Sequence, residues 1–235
     1  MLRTGFFFIT FLPWTIFCLL VGLPLSLLSP DRYHDIGILW SRVGLRLAGV
    51  RVKVEGLEHL ADPRALIFMP NHQSSFDILI LYRALSRQFR WLAKEELFRI
   101  PLFGLAMRRS GYIPVDRSDR KKAISSMAEA ARRIVSGTSV VIFPEGTRTS
   151  DGHLLPFKKG GFMLALQAQV PIVPLAIIGS RDVMPKHTFR VRGGLVRVKV
   201  FPPVRTAGLT TNDRDELMEH IRRPIFLAIE EKNEL

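Results

Sequence analysis

Apolar and polar positions along the chain alternate between two periods. Runs at Val50 to Val54, Ala65 to Met69, Ser139 to Phe143, Ile172 to Ile178 and Leu195 to Phe201 have the length and patterning of β-strands, and Tyr112 to Val115 is a shorter candidate. Between them, Ile38 to Ala48, Phe76 to Leu85, Arg120 to Val135, Gly160 to Gln169 and Asp213 to Ile229 carry apolar residues at helical spacing. Strands interleaved with helices imply an α/β domain, with a largely parallel or mixed central sheet flanked by helices. No internal repeat or low-complexity run interrupts the pattern, so a single core is expected over residues 36–235.

Residues 1–35 follow a different pattern. No charged residue occurs from Thr4 to Pro30, and as one helix that stretch would measure ~40 Å at ~1.5 Å per residue, more than the ~30 Å hydrocarbon layer of a bilayer. The segment therefore reads as an N-terminal apolar helical membrane anchor. It is longer than the apolar region of a cleaved leader and lacks a small-residue cleavage site. Pro13 and Pro24 each remove a helix hydrogen bond, which leaves both a kinked span and a pair of short helices lying in one leaflet open. Arg32, Arg42 and Arg46 follow the segment and Arg3 alone precedes it, a bias toward a domain on the cytoplasmic face of the inner membrane.

Charge narrows the possible partners. The chain has 34 Lys+Arg against 21 Asp+Glu, a formal balance of +13, nearly all of it outside the apolar segment. Such a surface suits nucleic acid, anionic lipid or a phosphorylated substrate, and the adjoining anchor favours lipid, so no nucleic-acid partner is expected. From Arg83 to Arg109, seven basic residues are interleaved with Trp91, Leu92, Leu97, Phe98, Leu102 and Phe103, a mixture that fits headgroups and acyl chains or an ordinary solvated face. Cys18 is the only cysteine and lies in the apolar segment, which excludes disulfides within the chain and argues against a cysteine nucleophile.

Two strands end alike. Ala65 to Met69 runs into Pro70, Asn71 and His72, and Ser139 to Phe143 runs into Pro144, Glu145 and Gly146. If both lie in one sheet, their polar ends meet along the edge where open α/β sheets hold ligands. His72 and Asp77 are five positions apart, and neither a helix nor a strand brings such a pair together: five helical residues turn ~500°, and odd strand separations face opposite ways. Only a bend unites them. Ser74 offers one by capping a helix that begins at Ser75, with Asp77 in its first turn. Asp77 can then complete a capping box, or fix the tautomer of His72 so that the free ring nitrogen acts as a general base; the two uses are compatible. In Glu145-Gly146-Thr147-Arg148, Gly146 permits close backbone approach and the planar guanidinium of Arg148 suits a phosphate, with Glu145 available to orient Arg148 or bind a hydroxyl.

These residues resemble the glycerophospholipid acyltransferases, most closely those that use 1-acylglycerol 3-phosphate (lysophosphatidate). His72 and Asp77 fit the family's histidine, four residues, aspartate signature, and Glu145 to Arg148 fit its phosphate-binding block. Lys94 to Phe98 through Gly104, then Gly111 to Arg117, is similar to a second block, and Val170 to Leu175 to a fourth. The resemblance implies that residues 36–235 are an acyltransferase domain. His72 would deprotonate the sn-2 hydroxyl of the acceptor as it attacks an acyl-CoA or acyl carrier protein thioester, Asp77 would support the imidazolium, and the product would be phosphatidic acid. Arg148, Arg117, Glu145, Gly146, Thr147 and Lys94 would bind substrate, with no cofactor and no metal. A different lysolipid or glycerol 3-phosphate as acceptor, or a non-catalytic basic protein that binds membranes, are the alternatives. No Gly-x-Ser-x-Gly elbow suggests an acyl-enzyme.

Overall fold

The expected alternation of strands and helices is present in the computed structural model, which describes residues 2–61, 64–85, 87–116 and 120–233, with the backbone alone at 120–124 and 232–233. Two helices lead the chain, α1 (Leu2–Ser26) and α2 (Pro30–Ala48). Then follow β1 (Val50–Glu55), β2 (Ile67–Pro70), α3 (Asp77–Ala84), β3 (Arg90–Lys94), α4 (Phe103–Arg109), β4 (Ile113–Val115), α5 (Arg120–Val135) and β5 (Val140–Val141). The chain continues through α6 (Lys159–Ala168), β6 (Ile172–Ile178), α7 (Ser180–Val183), β7 (Gly194–Val200) and α8 (Arg214–Asn233).

The strands form one mixed sheet in the order β1-β7-β6-β2-β5-β3-β4. All neighbours are parallel except β6 and β7. Its centre is buried on both faces, as a sheet covered by helices requires: all seven residues of β6 are buried. Alternate residues serve opposite layers. Ile67 and Met69 of β2 face the core under α5, α6 and α8, whereas Leu66 and Phe68 face the core under α1, α2 and α3. Each such aliphatic or aromatic side chain contributes roughly 1.5–3 kcal/mol by leaving water.

The N-terminal helices belong to the second of these layers. Phe7 is buried with its ring centroid 5.4 Å from that of Phe76, which precedes α3. Phe11 packs on Trp40 of α2 at 5.3 Å, and the Trp40 indole donates to Thr15 Oγ1 at 2.9 Å. Helix α1 passes through both Pro13 and Pro24 as one element. Helix α2 begins at Pro30, earlier than its apolar spacing indicated, because Ser29 Oγ accepts the Asp31 N–H at 3.1 Å and Pro30 takes the first helical position. The division expected between residues 35 and 36 thus falls inside this helix.

Strand β3 and the short helices α4 and α7 were not expected from the sequence, and β3 is the most consequential. It lies inside the stretch read as a mixture for headgroups and acyl chains, yet Trp91, Leu92 and Phe98 are buried. Arg90 is buried too, paired with Asp31 at the start of α2. These four residues are buried within the folded domain, with Trp91 and Leu92 also lining the cavity described below.

Candidate active site

The site forms where β2 and β5, adjacent in the sheet, release their chains. Beyond Pro70 the side-chain amide of Asn71 continues the ladder in place of backbone: Nδ2 donates to the Ile177 carbonyl at 3.0 Å and Oδ1 accepts the Ile177 N–H at 2.6 Å. This fixes the strand end from which His72 departs. The chain then bends. Ser74 Oγ accepts the Phe76 N–H at 3.1 Å and its hydroxyl donates to the Met184 carbonyl at 2.8 Å. Ser74 thus supplies the expected bend, but the helix starts at Asp77 instead of Ser75, with Phe76 in the N-cap position and no side-chain cap bond there.

Asp77 is fully buried, and its Oδ2 serves both roles that the sequence left open. It accepts the N–H groups of Gln73 at 2.8 Å and Ser74 at 2.9 Å, closing the bend, and lies 2.7 Å from His72 Nδ1. An ionised carboxylate there makes Nδ1 the protonated nitrogen and leaves a lone pair on Nε2. The imidazole also stacks on Phe143, with centroids 3.8 Å apart and planes 14° apart, so neither its tilt nor its rotation is free.

Glu145 departs from its expected use. It is 2% exposed. Oε1 accepts the backbone N–H of His72 at 2.6 Å and Oε2 that of Leu155 at 2.8 Å. Both oxygens are thereby committed to backbone, and Glu145 neither orients Arg148 nor faces the cavity described below. It braces His72 through the backbone. Burial pushes its carboxyl up to about 7 against the two N–H bonds, and nearby Asp77 pushes in the same direction. Two further links join the same loops: the Thr149 N–H donates to the His72 carbonyl at 2.9 Å, and Gln73 Nε2 donates to the Gly152 carbonyl at 2.9 Å.

Gly146 turns the chain at φ 71°, and a Cβ there would lie 2.9 Å from the stem of Lys158; both the angle and the space demand glycine. Arg148 follows, one arm donating to Ser75 Oγ at 2.6 Å. Its carbonyl accepts from Lys186 Nζ at 2.7 Å, and Arg181 Nε donates to the Ser150 carbonyl at 3.2 Å. The segment from α7 to Lys186 therefore clamps both loops of the site, holding Ser74 through Met184 and the 148–150 stretch through Lys186 and Arg181. Nothing local announced this, because its partners are separated from it by more than thirty residues.

His72, Gly146, Thr147 and Arg148 line one end of a cavity of about 500 Å³ whose remaining walls are mainly apolar and aromatic. Phe143, Trp91, Ile78 and Tyr82 continue it inward, and Leu19 and Trp40 from the N-terminal helices close one side. Lys94, at the end of β3, stands at the rim, largely exposed and paired with Glu96 at 3.0 Å. Arg117 lies outside the described residues. The arrangement unites a tautomer-fixed imidazole, a guanidinium and a long apolar recess.

Comparison with known proteins agrees with this geometry. Residues 51–178 match the protein family described as Acyltransferase. The chain is 36% identical over 223 residues to the human 1-acyl-sn-glycerol-3-phosphate acyltransferase alpha, covering 93% of this chain and 78% of that protein. It is 38% identical over 207 residues to the 1-acyl-sn-glycerol-3-phosphate acyltransferase of Limnanthes douglasii, covering 85% and 73%. The crystal structure of the 1-acyl-sn-glycerophosphate (LPA) acyltransferase from Thermotoga maritima superposes with a TM-score of 0.85 at 26% identity, covering 99% of this chain and 95% of that one. The matched span holds the bend, both motif loops and the four central strands they leave or abut, and by that match the chain belongs to the acyltransferase family.

Proposed function

We propose that the protein is a 1-acylglycerol-3-phosphate O-acyltransferase, which moves a fatty acyl group from a thioester to the free 2-hydroxyl of lysophosphatidate and yields phosphatidic acid. The relatives that carry this activity in their names support it. The observation that carries the chemistry is the 2.7 Å contact of His72 Nδ1 with buried Asp77, which leaves Nε2 as the free base beside an apolar recess and Arg148.

In the reaction, Nε2 of His72 takes the proton of the acceptor hydroxyl as its oxygen bonds to the thioester carbonyl carbon. Asp77 stabilises the imidazolium that forms. The tetrahedral intermediate collapses, the carbon–sulfur bond breaks, and the imidazolium returns the proton to the departing thiolate. General-base help of this kind supplies roughly 10² to 10⁴ in rate; holding both substrates in register supplies much of the rest. Arg148 grips the acceptor phosphate, with Lys94 and Arg117 adding positive charge, and the apolar cavity takes an acyl chain. A protein that bound membranes through charge alone would have no use for a buried carboxylate set against an imidazole.

We also assign the protein to the cytoplasmic face of a membrane, held by α1 without crossing it. One face of α1 carries Phe6, Ile9, Leu12, Ile16, Phe17 and Leu20, all at least half exposed, while Phe7 near its start and Ser26 at its end are buried. A helix attached to its domain along its length suits one leaflet better than a span.

The test is identification of the lipid product from purified protein offered lysophosphatidate and an isotopically labelled acyl thioester. Labelled phosphatidic acid is expected. Release of free fatty acid without acylated lipid would make the dyad that of a hydrolase.

A further inference from the structure

We propose that the turn before α4 is a second membrane-inserting element, lodged in the bilayer beside α1, so that lipid reaches the cavity sideways between the two. The proposal rests on the membrane reading of α1 and extends it to a part of the molecule that reading does not involve. Of the basic and apolar residues interleaved between Arg83 and Arg109, Trp91, Leu92 and Phe98 fold inward, but Leu97, Ile100, Leu102, Phe103 and Leu105 do not. They are 39%, 47%, 56%, 39% and 43% exposed. Isolated exposed apolar residues are ordinary, whereas five within nine positions form a patch of the kind that marks an interaction surface.

The backbone enforces this display. Leu102 sits at φ 58° and ψ −53°, and the Phe103 N–H bonds the Pro101 carbonyl at 2.6 Å, a strained three-residue turn. The chain around it is drawn tight: a Cβ on Gly104 would lie 2.1 Å from the Phe98 carbonyl oxygen. Strain of this sort persists where surrounding structure imposes it, and here it tips a leucine into solvent.

Charge and continuity identify the occupant as a lipid surface. Arg108 and Arg109 follow the patch and are exposed, as anionic headgroups require, while Arg99 within it is exposed and paired with Glu95. Helix α4 lies against α1, so the patch borders the exposed apolar face of the anchor. Leu97 and Phe103 from this region and Thr15, Cys18 and Leu19 from α1 all line the cavity. The opening between them therefore faces the same apolar phase, and an acyl chain need not cross water to enter.

The experiment uses the full chain with Cys18→Ala and one new cysteine carrying an environment-sensitive fluorophore, mixed with vesicles of phosphatidylcholine and phosphatidylglycerol that contain acyl-chain quenchers. Labels at Leu102→Cys and Ile9→Cys should both shift to the blue and be quenched, while one at Val135→Cys, exposed at the end of α5, should not. A water-like Leu102 label beside a quenched Ile9 label would overturn the second element and leave the anchor standing. Water-like labels at both would overturn the membrane reading as well. As a variant that relieves strain instead of adding it, Leu102→Gly should weaken vesicle partitioning by roughly tenfold or more. Unchanged partitioning would count against the proposal.

Discussion

Glu145 accepts the backbone N–H of His72 across 73 positions of sequence, at 2.6 Å, so a carboxylate from the second motif holds the histidine presented by the first. Its other oxygen is committed to Leu155. In Glu145→Gln the new amide can accept one of these N–H groups but must point its own donors at the other. We expect kcat to fall by about tenfold to a hundredfold, consistent with a displaced base, with little change in KM for the acceptor. A rise in KM with kcat unchanged would return Glu145 to substrate binding.

The same burial makes Glu145 a source of pH dependence. Its folded-state value of about 7 lies above the 4.5 of an unperturbed glutamate, so between those values the native state binds the proton more tightly than the unfolded chain. The stabilisation is complete below about pH 4.5 and is lost as pH rises to about 7, on the order of a few kcal/mol. Buried His34, held down to about 4 by desolvation, contributes the opposite slope in both proteins, so urea titrations across this window should show the stability of Glu145→Gln rising with pH relative to that of the parent. Parallel curves for the two proteins would refute the assignment.

Asp77 is expected to separate catalysis from folding less cleanly than His72. His72→Ala removes the base together with its stacking on Phe143 and its bond to buried Asp77, so kcat should drop by roughly 10² to 10⁴ and thermal stability should fall, though less than in Asp77→Asn. Asp77→Asn retains an acceptor for the Gln73 and Ser74 N–H groups but cannot serve them and the imidazole with equal charge. Its kcat should fall by a comparable factor and its melting temperature should also decline. Near-parental turnover in folded His72→Ala protein would remove the general base from the mechanism.

How far the sequence revealed these relationships depends on their range. The bend between His72 and Asp77 was legible because five residues and one serine contain it. Strand β6 was legible because its apolar run is long, and β1 and β7 because apolar and charged residues alternate along them. Strand β3 was not: Arg90 and Lys94 bracket Trp91 and Leu92, and a buried arginine is tolerable there because Arg90 pairs with Asp31 of α2 and donates to Gln88 Oε1 and the Phe89 carbonyl. Glu145 was misjudged for a similar reason. Its role follows from β2 and β5 being neighbours, a fact of strand order that a local pattern does not contain.

Arg148 donates one N–H to Ser75 Oγ, and in the proposed acceptor-binding role the rest of its guanidinium fork would meet the phosphate. Arg148→Ala should raise KM for lysophosphatidate by about tenfold to a hundredfold, in line with the loss of charge-assisted hydrogen bonds. Arg148→Lys should recover only part of this, since an ammonium cannot make two parallel bonds. Ser75→Ala should have a smaller effect in the same direction. An acceptor without phosphate should be indifferent to all three, and equal losses on both acceptors would show that Arg148 supports structure instead.

The cavity gives the last prediction. Ala106 of α4 is buried and lines it, opposite walls formed by aromatic rings, so added volume at this position projects into the space that an acyl chain would occupy. Ala106→Phe should lower turnover with long-chain thioesters far more than with medium-chain ones, because a filled recess rejects the extra methylenes, each worth ~0.8 kcal/mol when buried. The ratio of kcat/KM between the two donors is the readout, since a general loss of folding would reduce both alike. A ratio unmoved by the substitution, in protein that still binds lysophosphatidate, would mean that the acyl chain of the donor lies elsewhere and that the recess holds another part of the substrates.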